Sequence, residues 1–258
     1  MKEQTKIIID TTEGKILDLD ADEFGNFIAI TDTNAIITPD HLLQLEVLKL
    51  RFPKLRRLNK DLFFIADSRT SEGQNGHICT FDGQIERSFS AGDGIEDILI
   101  HHNKIIITYF DEGVYGDDGP NQDGLAVFSI DGKYEFGVNS SKGFTIVDCY
   151  AICKHSVNSV LFYAYGELAV YELNLNTNAI EVFETPTDFA GASAISILLD
   201  KVYLHSSYKE KRSFFEWDRN KQTVRKFGDY HPELKGLPNG KFLSFGEKGY
   251  TIIDVGNT

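Results

Sequence analysis

Val127-Phe128-Ser129-Ile130-Asp131-Gly132 is a short run of strand-forming residues that ends in an acid just before a turn. The pattern occurs upstream as Ile36-Ile37-Thr38-Pro39-Asp40 and Ile78-Cys79-Thr80-Phe81-Asp82-Gly83. Downstream it returns as Val170-Tyr171-Glu172-Leu173-Asn174, Phe214-Phe215-Glu216-Trp217-Asp218 and Thr251-Ile252-Ile253-Asp254. The closing residues, 40, 82, 131, 174, 218 and 254, lie 42, 49, 43, 44 and 36 positions apart, so 258 residues divide into six units of 43. That is the length of a four-stranded propeller blade. A second recurring run precedes each of these turns: 27–30, 62–66, 105–109, 160–163, 202–205 and 242–245. These runs are rich in Ile, Val, Phe and Tyr and are bounded by turn residues, as strands are.

The repeat predicts an all-β, six-bladed β-propeller in one domain, with four-stranded blades over 15–50, 54–90, 94–138, 145–184, 192–227 and 233–254 plus 5–10. The last repeat supplies three strands, so Lys6–Asp10 is expected beside Tyr250–Asp254 as the missing outer strand, which would close the ring and protect blade edges. An open sandwich of the same strands is the alternative. No stretch carries a long 3.6-residue apolar period with caps, so almost no helix is expected. The leucines of His41–Leu50 would also suit a helix, but the repeat register makes this segment an outer strand.

Composition bounds the function. Asp and Glu outnumber Lys and Arg 39 to 26, for a net charge of −13. That argues against phosphate contacts to nucleic acid and against docking on anionic lipid. The apolar run Ile7–Ile9 is too short for a signal-peptide core, and no stretch reaches the length of a membrane span. Three cysteines are no disulfide framework, and no zinc spacing occurs. Reduced thiols in a cytoplasmic protein are the expectation.

Trp217-Asp218 sits where a WD-repeat blade carries its Trp-Asp pair. The segments Gly92-Asp93-Gly94-Ile95-Glu96-Asp97 and Tyr109-Phe110-Asp111-Glu112-Gly113-Val114-Tyr115-Gly116 look like motifs of a bacterial propeller group with no assigned activity. Over its whole length the chain thus resembles the bacterial six-bladed β-propeller superfamily, with WD-repeat, NHL-type and gluconolactonase-type relatives. The gluconolactonase-type likeness would imply calcium and sugar-acid lactones.

The 49-residue unit carries its surplus in one loop, between Tyr109 and Leu125. In a propeller that loop shares a face with the segment entering the innermost strand, here Gly92–Asp97. Asp93, Glu96, Asp97, Asp111 and Glu112 are therefore expected to converge at a channel rim, with Tyr115 at the loop tip. Asp97, Asp111 and Glu112 offer hard oxygen ligands to Ca²⁺ or another divalent cation. Crowded carboxylates could alternatively raise one pKa and make a general acid or base. Gly/Asp/Asn-rich loops are also ordinary turn chemistry. Asp18, Asp97 and Asp148 fall at one level of three innermost strands, and Arg56 or Arg57, on the equivalent strand of another blade, is placed to pair with them. His205 falls near Ser206, Ser207 and Tyr208, while His101 and His102 point to opposite sides of a strand.

No serine nucleophile elbow or phosphate-binding loop occurs. The reading is a non-enzymatic binding or protein-interaction propeller that uses loops on one face around an acidic rim. Such a rim would steer a protein or small ligand of basic character. The alternatives are a metal-dependent hydrolase, lactonase or lyase at the same rim, and a scaffold with no small-molecule site.

Overall fold

The computed structural model describes residues 3–9, 12–22, 24–70, 73–186, 189–206 and 208–256. They form six four-stranded sheets, and in five of these the strands follow chain order, over 16–44, 53–89, 95–137, 148–183 and 194–229. The sixth takes three strands from 235–254, and Glu3–Ile8 lies along Gly249–Asp254 as its outer strand. The fold is a six-bladed β-propeller with antiparallel blades. The expected closure by the N-terminal strand is present, beginning at Glu3 rather than Lys6; Asp10 lies outside the described residues.

Local chemistry explains the repeat. Asn174 Oδ1 accepts the backbone N–H groups of Asn176 and Thr177 at 3.0 and 3.1 Å. Asp218 Oδ1 does the same for Asn220 and Lys221, both at 3.1 Å. A side-chain oxygen that satisfies the next turn's donors is what an Asx turn requires. Trp217, one residue before, is buried between sheets.

Two compact units divide the chain, one of residues 8–148 with 246–249, the other of residues 1–7, 149–245 and 250–258. In the first, strand Leu62–Asp67 is buried on both faces. Phe63 and Ile65 pack with Ile28, Ile30 and Ile36 of the 16–44 sheet. Phe64 and Ala66 pack with Ile98, Ile107 and Phe128 of the 95–137 sheet. Successive side chains point to opposite faces, so an unbroken apolar run fits a sheet covered on both sides. The second unit repeats the device. On strand Lys201–His205, Val202 and Leu204 pack with Cys153 and Leu161, while Tyr203 packs with Phe242 and Ile253.

The segment 41–50 is strand only over Leu42–Gln44. Leu45 extends the same pairing by one bond, its N–H donating to Asn34 O at 3.0 Å, and buries its side chain. Among the described residues, helix is confined to Asp111–Val114, Val138–Lys142 and a 3₁₀ turn over Pro120–Asp123.

Candidate functional site

The site lies in the unit of residues 8–148 and begins with its innermost strands. Arg56, on Pro53–Arg57, is 3% exposed. Its guanidinium donates to Asp18 Oδ2 of one neighbouring sheet at 2.7 Å and to Asp97 Oδ1 of the other. Nε also reaches Ile98 O at 2.6 Å, and Nη1 reaches Leu55 O at 2.5 Å. Asp18 Oδ2 further accepts Leu55 N–H at 2.7 Å. Burial disfavours the charged guanidinium, but Asp18, Asp97 and Asp20 together outweigh it and push its pKa further up. Two of the three aligned carboxylates are thus joined by one arginine. Asp148 opens the next innermost strand, Asp148–Lys154, and is half-buried.

The long loop is built rather than loose. Phe110 N–H donates to Gly94 O at 2.9 Å, and Asp111–Val114 then closes one helical turn on Phe110 O. Gly94 has φ +67°, and a Cβ there would come within 2.5 Å of Gly113 Cα; one on Gly113 would strike Asp93 O. Only two glycines allow this backbone approach. Buried Asn121 donates to Gly113 O at 2.7 Å and Asp117 O at 3.0 Å. Buried Asp123 accepts Tyr134 O–H at 2.7 Å and Ser140 N–H at 2.9 Å. Asn75 Nδ2 ties Asp67 O to Gly92 O at 2.9 and 2.8 Å.

The entering segment and the loop therefore meet, as the sequence implies, but their carboxylates take different paths. Asp93 and Glu96 line a cleft with Phe110. Asp93 Oδ1 is enclosed and meets no donor among the described residues. Asp97 turns to Arg56, and Glu112 pairs with Arg69 at 2.6 Å. Asp111 Oδ1 accepts Glu112 N–H at 2.7 Å within the loop. Tyr115 is 72% exposed. Among the described residues no three His, Cys, Asp or Glu side chains are grouped to hold a metal. Of the three residues expected to hold a cation, Asp97 and Glu112 are thus each paired with an arginine from the preceding blade, and Asp111 bonds within its own loop.

Basic residues share this rim with the acidic ones. The cleft, of about 880 Å³, is also lined by Arg51, Phe52, Lys54 and Arg69. One buried carboxylate ties three of these together. Asp67 is 7% exposed and accepts the N–H groups of Arg51, Phe52 and Arg69 at 3.0, 3.3 and 3.3 Å. It thereby holds the strand-entering turn against the loop leaving the second strand. Arg51 Nη2 donates to Arg69 O at 2.9 Å, and Lys54 Nζ donates to Glu96 O at 2.7 Å. The Arg69 guanidinium sits 5.1 Å from the Phe110 ring centroid, within cation–π range. These residues occupy, one blade earlier, the positions equivalent to Gly92–Asp97 and the long loop. The repeat register would have found them had it been applied to both blades rather than only to the one with surplus length.

No histidine is among the described residues that line this cleft. In the other unit, buried His205 sets Nε2 3.0 Å from Tyr230 O and packs its ring on Phe214. Ser207, expected beside it, lies outside the described residues.

No protein-family model matches the chain, and no curated protein matches it. Solved structures do. The extracellular domain of BT4673 from B. thetaiotaomicron is 10% identical with a TM-score of 0.60, over 100% of this chain and 34% of that one. PorZ, a surface component of the type-IX secretion system of Porphyromonas gingivalis, is 8% identical with a TM-score of 0.62, over 99% and 33%. Virginiamycin B lyase from Staphylococcus aureus is 11% identical with a TM-score of 0.53, over 98% and 99%. The chain spans about a third of the length of the first two proteins. What it shares with all three is the propeller fold.

Proposed function

We propose that this chain is a non-enzymatic binding propeller, which takes a small ligand or a segment of a partner protein in the cleft between Arg51–Lys54 and Asp93–Phe110. The observation that carries the reading is the division of labour among the charges. Carboxylates suited to acid–base or metal chemistry, Asp97 and Glu112, are engaged by Arg56 and Arg69. Phe52 and Arg51 are instead left exposed at the cleft. Aromatic and arginine side chains are the usual anchors of recognition, and about 880 Å³ falls in the size range of ligand sites.

The test is a ligand-observed NMR screen of small molecules and short peptides against the full chain and its Phe52→Ala variant. Phe52 is 55% exposed, so the variant is expected to fold. Hits lost in Phe52→Ala support the reading. Hits that bind both proteins alike would refute it. So would turnover of lactones or esters that Asp111→Asn abolishes, which would favour the metal-dependent hydrolase, lactonase or lyase.

A further inference from the structure

We infer that the cleft recognises an organic carboxylate attached to an apolar body, the acid being held by Arg51 and Lys54 and the body by Phe52 and Phe110. The inference rests on the binding function proposed above and names the ligand's chemistry. In a chain with a net charge of −13, carboxylates outnumber cations 39 to 26. Arg69 has Glu112, and Arg56 has Asp18 and Asp97. Arg51 and Lys54 do not: among the described residues their hydrogen bonds run to the carbonyls of Arg69 and Glu96. Two cationic side chains are therefore held in place by neutral acceptors, with no ion pair to either among the described residues.

The placement is specific. Asp67 fixes the backbone of Arg51, Phe52 and Arg69 together, so a buried carboxylate is used to present guanidinium groups outward. Arg51 retains donors beyond the one given to Arg69 O, and a planar fork suits a carboxylate. The Arg51 guanidinium also lies 6.0 Å from the Phe52 ring centroid, so charge and apolar surface adjoin. Asp93 and Glu96 line the same cleft, so an anion is disfavoured beside them and favoured beside Arg51. This ligand is opposite in sign to the basic partner that net charge alone suggests.

A small aromatic acid and an acidic side chain beside an aromatic residue in a peptide share this chemistry. The experiment titrates the full chain by calorimetry with two matched pairs. One is 3-phenylpropionate against 3-phenylpropionamide. The other is an end-blocked Ala-Phe-Glu-Ala peptide against its Gln counterpart. Within at least one pair the acid is expected to bind about tenfold tighter than the amide, the scale of one charge-assisted contact. The difference should collapse in the Arg51→Gln/Lys54→Gln variant and shrink in high salt. The responding pair identifies the source. Equal binding of acid and amide in wild-type protein, or no binding by either acid, would overturn the inference, and neither result depends on how the variant folds. If the acids fail these tests while screening hits are still abolished by Phe52→Ala, the binding cleft stands and only the carboxylate is refuted.

Discussion

Replacing Arg56 with methionine should destabilise the chain by removing the cation that joins three sheets. The methionine fills much of the space but leaves Asp18, 2% exposed as a residue, facing Asp97 without a countercharge. Breaking a buried ion pair from one side costs about 3–5 kcal/mol, since the remaining charge stays desolvated. For a chain this long that is a fall of roughly 6–10 °C in the unfolding midpoint. The assay is thermal and urea unfolding of both proteins at pH 7 and pH 4. In acid the two carboxylates can take up protons in the variant, so the deficit should narrow. The triple variant Arg56→Met/Asp18→Asn/Asp97→Asn should recover part of the loss at pH 7, because no charge is left buried alone. A single variant within about 1 kcal/mol of wild type, the lower end of ordinary mutational effects, or a deficit equal at both pH values, would refute the clamp.

Gly94→Ala should lower the midpoint by several degrees, because a Cβ would meet Gly113 backbone at 2.5 Å; unfolding curves check it. Burial lowers the pKa of His205 against the raising effect of the Tyr230 and Arg212 carbonyls. A depressed folded pKa means the unfolded chain binds the proton first, so stability should fall as pH drops below about 6.5, and His205→Gln should flatten that slope in urea titrations. Deleting residues 1–8 strips the outer strand from the 235–254 sheet and should lower the midpoint and promote association, read by light scattering. Millimolar Ca²⁺ or Mg²⁺ should leave the midpoint unchanged; a shift of about 10 °C abolished by Asp111→Ala would restore the cation site.

The blades were legible because their signals are local. A strand run followed by Asn174 or Asp218 states its own turn, since the side-chain oxygen bonds donors two and three residues on. Six strand runs ending in Asp or Asn at a near-constant interval leave few folds. Double-sided burial was equally local: Phe63-Phe64-Ile65-Ala66 carries no polar face, so both faces must be covered. The meeting of Gly92–Asp97 with the long loop followed from blade register, and the glycines that permit it stand in the sequence.

What the sequence by itself determined, then, is the number of blades, their turns and the segments that come together at the rim. Tertiary structure alone decided the charge of that rim. Asp97 and Glu112 carry the same sign in any sequence count, yet each is taken by an arginine from the preceding blade, 41 positions away for Arg56. Arg51 and Lys54 look like two more exposed cations until Asp67 gathers their turn against Phe110. Electrostatic interaction falls with distance through space, not along the chain. Which carboxylates are neutralised and which cations remain available was therefore settled only when neighbouring blades packed.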